Sequence, residues 1–224
     1  MKIFNSLDDI PDNHRPSSIT IGNFDGLHIG HIELLKNTIA LAKANNTVPV
    51  VLSFDPMPEE YFRNEYFFRL MSNTEKSGFI EDYGIEEIIL IPFNEKFSKM
   101  DKNKFIDEVL IKKLNAKHVV VGNDFRFGHK RIGDVKLLKS YGHDRGIEVT
   151  IVSLIEILGK KISSTNIREL LILGKISEAN SILGKPFSIQ GKIIHGEKVG
   201  RELGYPTANI EIYKSYPING IFLV

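Results

Sequence analysis

Two stretches of the chain, VPVVLSF at 48–54 and EEIILIP at 86–92, are apolar almost without interruption. A strand that alternates polar and apolar residues needs only one dry face. A strand apolar at nearly every position needs both faces covered, which is the condition inside a parallel sheet flanked by helices. Five strands in all are expected, at Ser18–Gly22, Pro49–Phe54, Glu87–Pro92, His118–Gly122 and Glu148–Ser153. Helical spacing fills the gaps between them. Ile32, Leu35, Ile39 and Ala42 share one face of the first helix. Ser72 with Glu75 forms a capping box at the start of the next. Phe105, Ile106, Val109 and Leu114 stripe a third. Strand–helix alternation of this kind builds right-handed βαβ units. The first part of the chain therefore reads as an α/β, Rossmann-like parallel-sheet domain.

The pattern changes after about residue 155. SSTNIRELLILGKISEANSILG reads as two short helices, broken at Gly174 and closed by Gly184. Beyond Pro186 the residues alternate in FSIQGKIIH and turn residues follow, as expected for antiparallel β structure. The expected division is 1–158 for the α/β domain, 159–186 for a helical segment completing its site, and 187–224 for a small β domain. The run GIFLV ends the chain in a strand-like stretch, so that last domain reads as cut short.

The most unusual local sequence lies where the first strand meets its helix, in GNFDGLHIGH at 22–31. The C-terminal edge of an open α/β sheet faces the ligand crevice. A helix starting near Gly30 offers unpaired N–H groups and a positive dipole end to an anion. Gly22 and Gly26 let the backbone approach a phosphate. His28 and His31, three residues apart, face the same way on the first turn. No G-x-G-x-x-G or G-x-x-x-x-G-K-[ST] motif is present, and no zinc-ligand cluster stands nearby. GNDFRFG at 122–128 also follows a strand; Asn123, Asp124 and Arg126 bring polar groups, and Phe125 and Phe127 can enclose a flat ring. In Ser163-Ser164-Thr165 the hydroxyls cap a helix, and Arg168 one turn later adds a bidentate cation for phosphate.

Four segments taken in order carry a family resemblance. GNFDGLHIGH contains the H-x-G-H of the nucleotidyltransferase superfamily and is closer still to the bacterial FAD synthetases, the adenylyltransferase half of bifunctional riboflavin kinase/FAD synthetases. GNDFRFGHKRIGD, ISSTNIRELL and GRELGYPTANI (residues 200–210) are similar to later segments of that family, the last to the start of its riboflavin kinase module, a closed β-barrel. The resemblance implies FMN adenylyltransferase activity, ATP and FMN as substrates, FAD as product and Mg²⁺ as the metal. It implies catalytic roles for His28, His31 and Arg168, and nucleotide binding by Gly22, Asn23, Phe24, Asp25, Gly30, Ser163, Ser164 and Thr165. Flavin contact falls to Pro56, Pro58, Asn123, Asp124, Phe125, Arg126 and Phe127, and metal contact in the kinase-like part to Thr207 and Asn209. In FDPMP at 54–58 the family places a histidine between the prolines, where this chain has Met57. Either that histidine is dispensable or phosphate contact is weaker here, and restoring it is expected to improve use of ATP. A silent flavin- or nucleotide-binding module and a different H-x-G-H adenylyltransferase are the competing readings.

Charge bears on partners. With 29 Lys and Arg against 28 Asp and Glu, the net charge is +1, so no global field draws nucleic acid or an anionic membrane. The chain contains no cysteine, which rules out disulfides and thiolate chemistry and fits the cytoplasm. No apolar run is long enough to span a bilayer, and MKIFNSLDDI lacks a signal-peptide core.

Overall fold

The computed structural model describes residues 1–62, 67–153, 156–157, 160–194, 208–212 and 216. Its centre is a six-stranded sheet of β1 (Lys2–Phe4), β2 (Ser17–Ile21), β3 (Val48–Phe54), β4 (Glu87–Ile91), β5 (Ala116–Gly122) and β6 (Glu148–Val152). The order is β1-β4-β3-β2-β5-β6 and every pairing is parallel. From β2 the chain steps outward through β3 and β4, then crosses back to β5 on the other side of β2. That reversal opens a crevice beyond the C-terminal ends of β2 and β5, where such sheets bind ligands.

The continuous apolar runs sort onto two faces. Ile19, Val50, Leu52, Ile89, Ile91, Val119 and Val121 point to one side, where they meet Phe105, Ile106, Val109 and Leu110. Val51, Ile88, Leu90 and Val120 point to the other, against Leu34, Leu35 and Ile80. The first helix, α1 (Ile29–Asn45), buries Leu34, Leu35, Thr38 and Ala42, with Ile39 only partly covered. Apolar residues also stand at 32 and 41, so spacing alone does not centre its buried stripe. The capping box at Ser72 and Glu75 opens α2 (Asn73–Asp82) with both reciprocal bonds made. The stripe from Phe105 lies in a helix with the wider π spacing over Phe105–Lys113.

All five expected strands are present, their ends shifted by one or two residues. The edge strand β1 was not foreseen. It is three residues long, and only its pairing with β4 identifies it. Beyond the sheet, α3 (Ser164–Ile172) and α4 (Ile176–Leu183) form a helical hairpin, with Gly174 and Gly184 left-handed at its breaks. The hairpin has its own small core of Ile167, Leu171, Ile182 and Leu183 with Phe68 and Leu70, flanked by Phe187 and Tyr216. Lys192–Ile194 pairs antiparallel with Asn209–Glu211, as the alternating pattern predicts. Thr207 and the GIFLV run lie outside the described residues.

Candidate active site

His28 closes the gap between β2 and α1. Its backbone is extended, and its Nδ1 accepts the His31 N–H at 3.3 Å, so the imidazole itself caps the helix. A ring accepting at Nδ1 carries its proton on Nε2. The His31 ring stacks on it, centroids 3.6 Å apart and 14° from parallel. Gly30 leaves room for the His28 ring, since a Cβ at that position would crowd it at 3.3 Å. The first turn of α1 contains no acidic residue, and its leading N–H groups have no intrahelical partner to donate to. Burial holds both imidazoles neutral. It lowers His28 to about 4, partly opposed by a backbone hydrogen bond and by Asp124, and it takes His31 well below the usual histidine value.

That burial links stability to pH. Unfolded, His28 titrates near 6.5; folded, near 4. Between those values the unfolded chain binds a proton that the folded chain does not, so stability falls as pH drops through that window. Above 6.5 the residue adds no slope. The expected loss by pH 4 is about 3 kcal/mol from His28 alone. Urea denaturation at pH 7 and pH 4.5 measures it, and a variant with asparagine at 28 should show a clearly shallower decline.

A second group ties the loop down. Asp25 is almost fully buried; its carboxylate accepts N–H bonds from Leu70 at 3.0 Å and Met71 at 3.3 Å, and a further bond from Arg168. Arg168 also donates Nε–H to the Phe68 carbonyl at 2.8 Å, and its guanidinium lies 4.3 Å over the Phe67 ring. Ser163 caps α3, and the Ser164 hydroxyl donates to the Asp25 carbonyl at 2.8 Å. Asp25 thus joins the GNFDGLHIGH loop, residues 68–71 and α3. Below them, buried Lys76 donates to the Asn23 carbonyl and Ser53 Oγ, each at 3.2 Å. Burial lowers Lys76 to about 8, countered mainly by Asp25.

Two cavities meet above these groups. The polar one, about 320 Å³, is lined by Gly22, Asn23, Asp25, His28, Gly30, His31, Asp124, Ser163, Ser164, Thr165 and Arg168. The apolar one, about 780 Å³, is walled by Tyr61, Phe62, Phe93, Phe97, Phe105 and Phe127. Phe54, Pro58, Glu59, Phe125, Arg126 and Arg131 line both. Of these, Phe54, Glu59, Tyr61, Phe62, Phe93, Phe97, Phe105 and Arg131 were not foreseen as site residues. Their aromatics are scattered over about fifty residues, and no local motif gathers them.

Several expectations are corrected. Phe24 does not face the cavity; it is fully buried in the core, its ring tilted against His31. Gly26 is required by packing and not by a phosphate: it is left-handed, and a Cβ there would meet Leu70 at 2.8 Å. Pro56 and Asn123 line neither cavity. Met57 is 1% exposed, so its thioether does not stand where a phosphate would contact it. A histidine there would bury a polar ring and not restore a phosphate ligand. The loop around it is clipped from outside by Arg69, which bridges Asp55 and Glu60, while Glu60 accepts the Met57 N–H at 2.9 Å.

The FAD synthetase family model matches residues 10–166, and the riboflavin kinase model matches residues 183–224. A bifunctional riboflavin kinase/FMN adenylyltransferase of Buchnera aphidicola subsp. Schizaphis graminum is 44% identical over the whole of this chain, which spans 73% of that protein. One from Pseudomonas fluorescens is 32% identical, again over the whole chain and 72% of its own length. A crystal structure described as a macrolide-efflux protein from Streptococcus pneumoniae superposes with a TM-score of 0.85 at 31% identity, covering 97% of this chain and 71% of that one. Among the described residues no helix is long and apolar enough to cross a membrane.

Proposed function

The chain belongs to the bifunctional riboflavin kinase/FMN adenylyltransferase family, and from that premise we propose that the two joined cavities are where it turns FMN and ATP into FAD and pyrophosphate. One observation carries this placement: an aromatic-walled cavity opens directly into a polar one that ends on the neutral histidine pair at a helix N-terminus. A flavin is a flat apolar ring system with a phosphate at the end of a chain, and the aromatic cavity suits its ring. The triphosphate of ATP suits the polar end.

In this reading an FMN phosphate oxygen attacks the α-phosphorus of ATP in line. The new P–O bond forms as the bond to the β-phosphate bridging oxygen breaks, and the electron pair leaves with pyrophosphate. The nucleophile is already anionic, so no general base is required; positioning and charge stabilisation do the work. His28 Nε2–H and the first-turn N–H groups of α1 donate to triphosphate oxygens, and the buried neutral rings need no proton exchange to do so. Thr165 supplies a hydroxyl at the rim. Arg168 reaches the cavity with the guanidinium edge that Asp25 and Phe68 leave open.

Mg²⁺ would arrive with ATP, mostly held by phosphates, and neutralise charge on the departing pyrophosphate; Asp124 and Glu59 are cavity carboxylates of the hard-oxygen kind it takes. The helical hairpin at 159–186 is read as one wall of this site and 187–224 as a separate unit, with Thr207 and Asn209 as its metal contacts. ATP and FMN chemistry, and the absence of cysteine, favour the cytoplasm and small-molecule partners only. The buried position of Met57 removes the observation that favoured a silent module. The direct test mixes the protein with FMN, ATP and Mg²⁺ and separates the flavins by chromatography. FAD appearing with equimolar pyrophosphate supports the reading; flavin binding without FAD would defeat it.

A further inference from the structure

The short hairpin Arg126–Phe127/Gly133–Asp134 carries a connection in which Lys130 and Arg131 both adopt left-handed backbone, with φ of 54° and 57°. Two successive non-glycine residues in that region are strained, and such strain persists where the surroundings over-determine it, commonly at ligand sites. The hairpin is well fixed. A Cβ on Gly128 would lie 2.8 Å from Lys102, and one on Gly133 2.9 Å from the Phe127 ring. The result places Arg131 at the seam, where it lines both cavities.

Three arginines line the polar cavity. Arg168 is bound to Asp25, and Arg126 lies 3.7 Å from Asp134. Arg131 has no carboxylate partner among the described residues. The nearby acid at the seam, Glu59, is held by the Asn23 amide at 2.6 Å. A dianionic group passing the seam therefore meets one repelling carboxylate and one uncommitted guanidinium.

Building on the FMN adenylyltransferase reading, we propose that Arg131 grips the terminal phosphate of FMN and makes the enzyme select a phosphorylated flavin over riboflavin. With the ring in the aromatic cavity and the α-phosphate of ATP at the histidine end, the flavin phosphate has to sit at the seam between them. A planar guanidinium binds such a group through two parallel hydrogen bonds. Riboflavin, which ends in a hydroxyl, gains nothing from the same contact.

The test compares wild type with Arg131→Asn and Arg131→Lys; asparagine tolerates left-handed backbone, so the hairpin is kept. Flavin fluorescence titration gives Kd for FMN and for riboflavin without ATP, and steady-state assays give KM for FMN and ATP separately. Arg131→Asn is expected to weaken FMN binding ten- to thirtyfold and to leave riboflavin binding and KM for ATP within twofold; lysine should recover part of the loss. Equal losses for both flavins would reduce Arg131 to a wall of the cavity, and a rise confined to KM for ATP would assign it to the nucleotide; either overturns the proposal. So would wild type binding FMN no more tightly than riboflavin. Failure of wild type to make FAD is a separate result and strikes at the functional reading itself.

Discussion

Replacing His28 with asparagine is expected to lower kcat for FAD formation by about a hundredfold or more while the melting temperature moves by only a few degrees. His28 serves the fold and the chemistry through different atoms. Its Nδ1 caps α1 by accepting the His31 N–H, and asparagine, among the best N-cap residues, supplies an oxygen for that bond. Its Nε2–H is the donor assigned to the triphosphate, and asparagine cannot place a donor so far from the backbone. The stacked contact with His31 is also lost, but at a cavity wall water fills the space. Alanine would remove cap and donor together and confuse the two effects. The discriminating measurement is kcat at saturating FMN and ATP beside a thermal melt of the same preparation. Turnover within threefold of wild type would take His28 out of the mechanism, and a collapsed melt with proportionate loss of activity would make it a structural cap only.

The same residue shows what a sequence conveys about such a site. The strands were legible because burial on both faces writes itself as continuous apolar runs, and the capping box because it is a local exchange between Ser72 and Glu75. The strand–loop–helix motif pointed to the edge of the sheet where the polar cavity lies. What it did not convey was which side chains turn toward it. Phe24, Asp25 and Gly26 sit beside one another in GNFDGLHIGH, yet one fills the core, one clasps distant backbone and one packs under Leu70. Irregular loops have no period from which a facing direction follows. Met57 makes a related point: position within a motif does not give exposure to a ligand, and this side chain is buried. Most of the aromatic cavity was hidden because Phe54, Tyr61 and Phe93 join the expected Phe125 and Phe127 only through the order of the sheet.

Asp25 and Arg168, 143 residues apart in sequence, carry the second large expected effect. Arg168→Ala should lose about 3–5 kcal/mol of stability, the range for removing one member of a buried ion pair, together with nearly all adenylyltransferase activity. The stability loss follows from what remains: a carboxylate 2% exposed that keeps its N–H bonds from Leu70 and Met71 and the weaker pull of Lys76, but loses the cation bonded to it. The Phe68 carbonyl loses its donor as well. The activity loss follows because the clasp fixes the loop bearing His28 against α3, so loosening it displaces the histidine pair and the Ser163–Thr165 wall together. Lysine at 168 should fall between, since an ammonium retains the charge near Asp25 but cannot span Asp25 and the Phe68 carbonyl with a planar fork. Pairing Arg168→Met with Asp25→Asn provides the control. If the ion pair is a clasp, the double variant is more stable than the sum of the single losses predicts, because the carboxylate that Arg168→Met would strand is itself removed, and activity stays low. A normal melt for Arg168→Ala with activity abolished would mean that Arg168 acts as a phosphate contact and that Asp25 needs no partner to hold the loop.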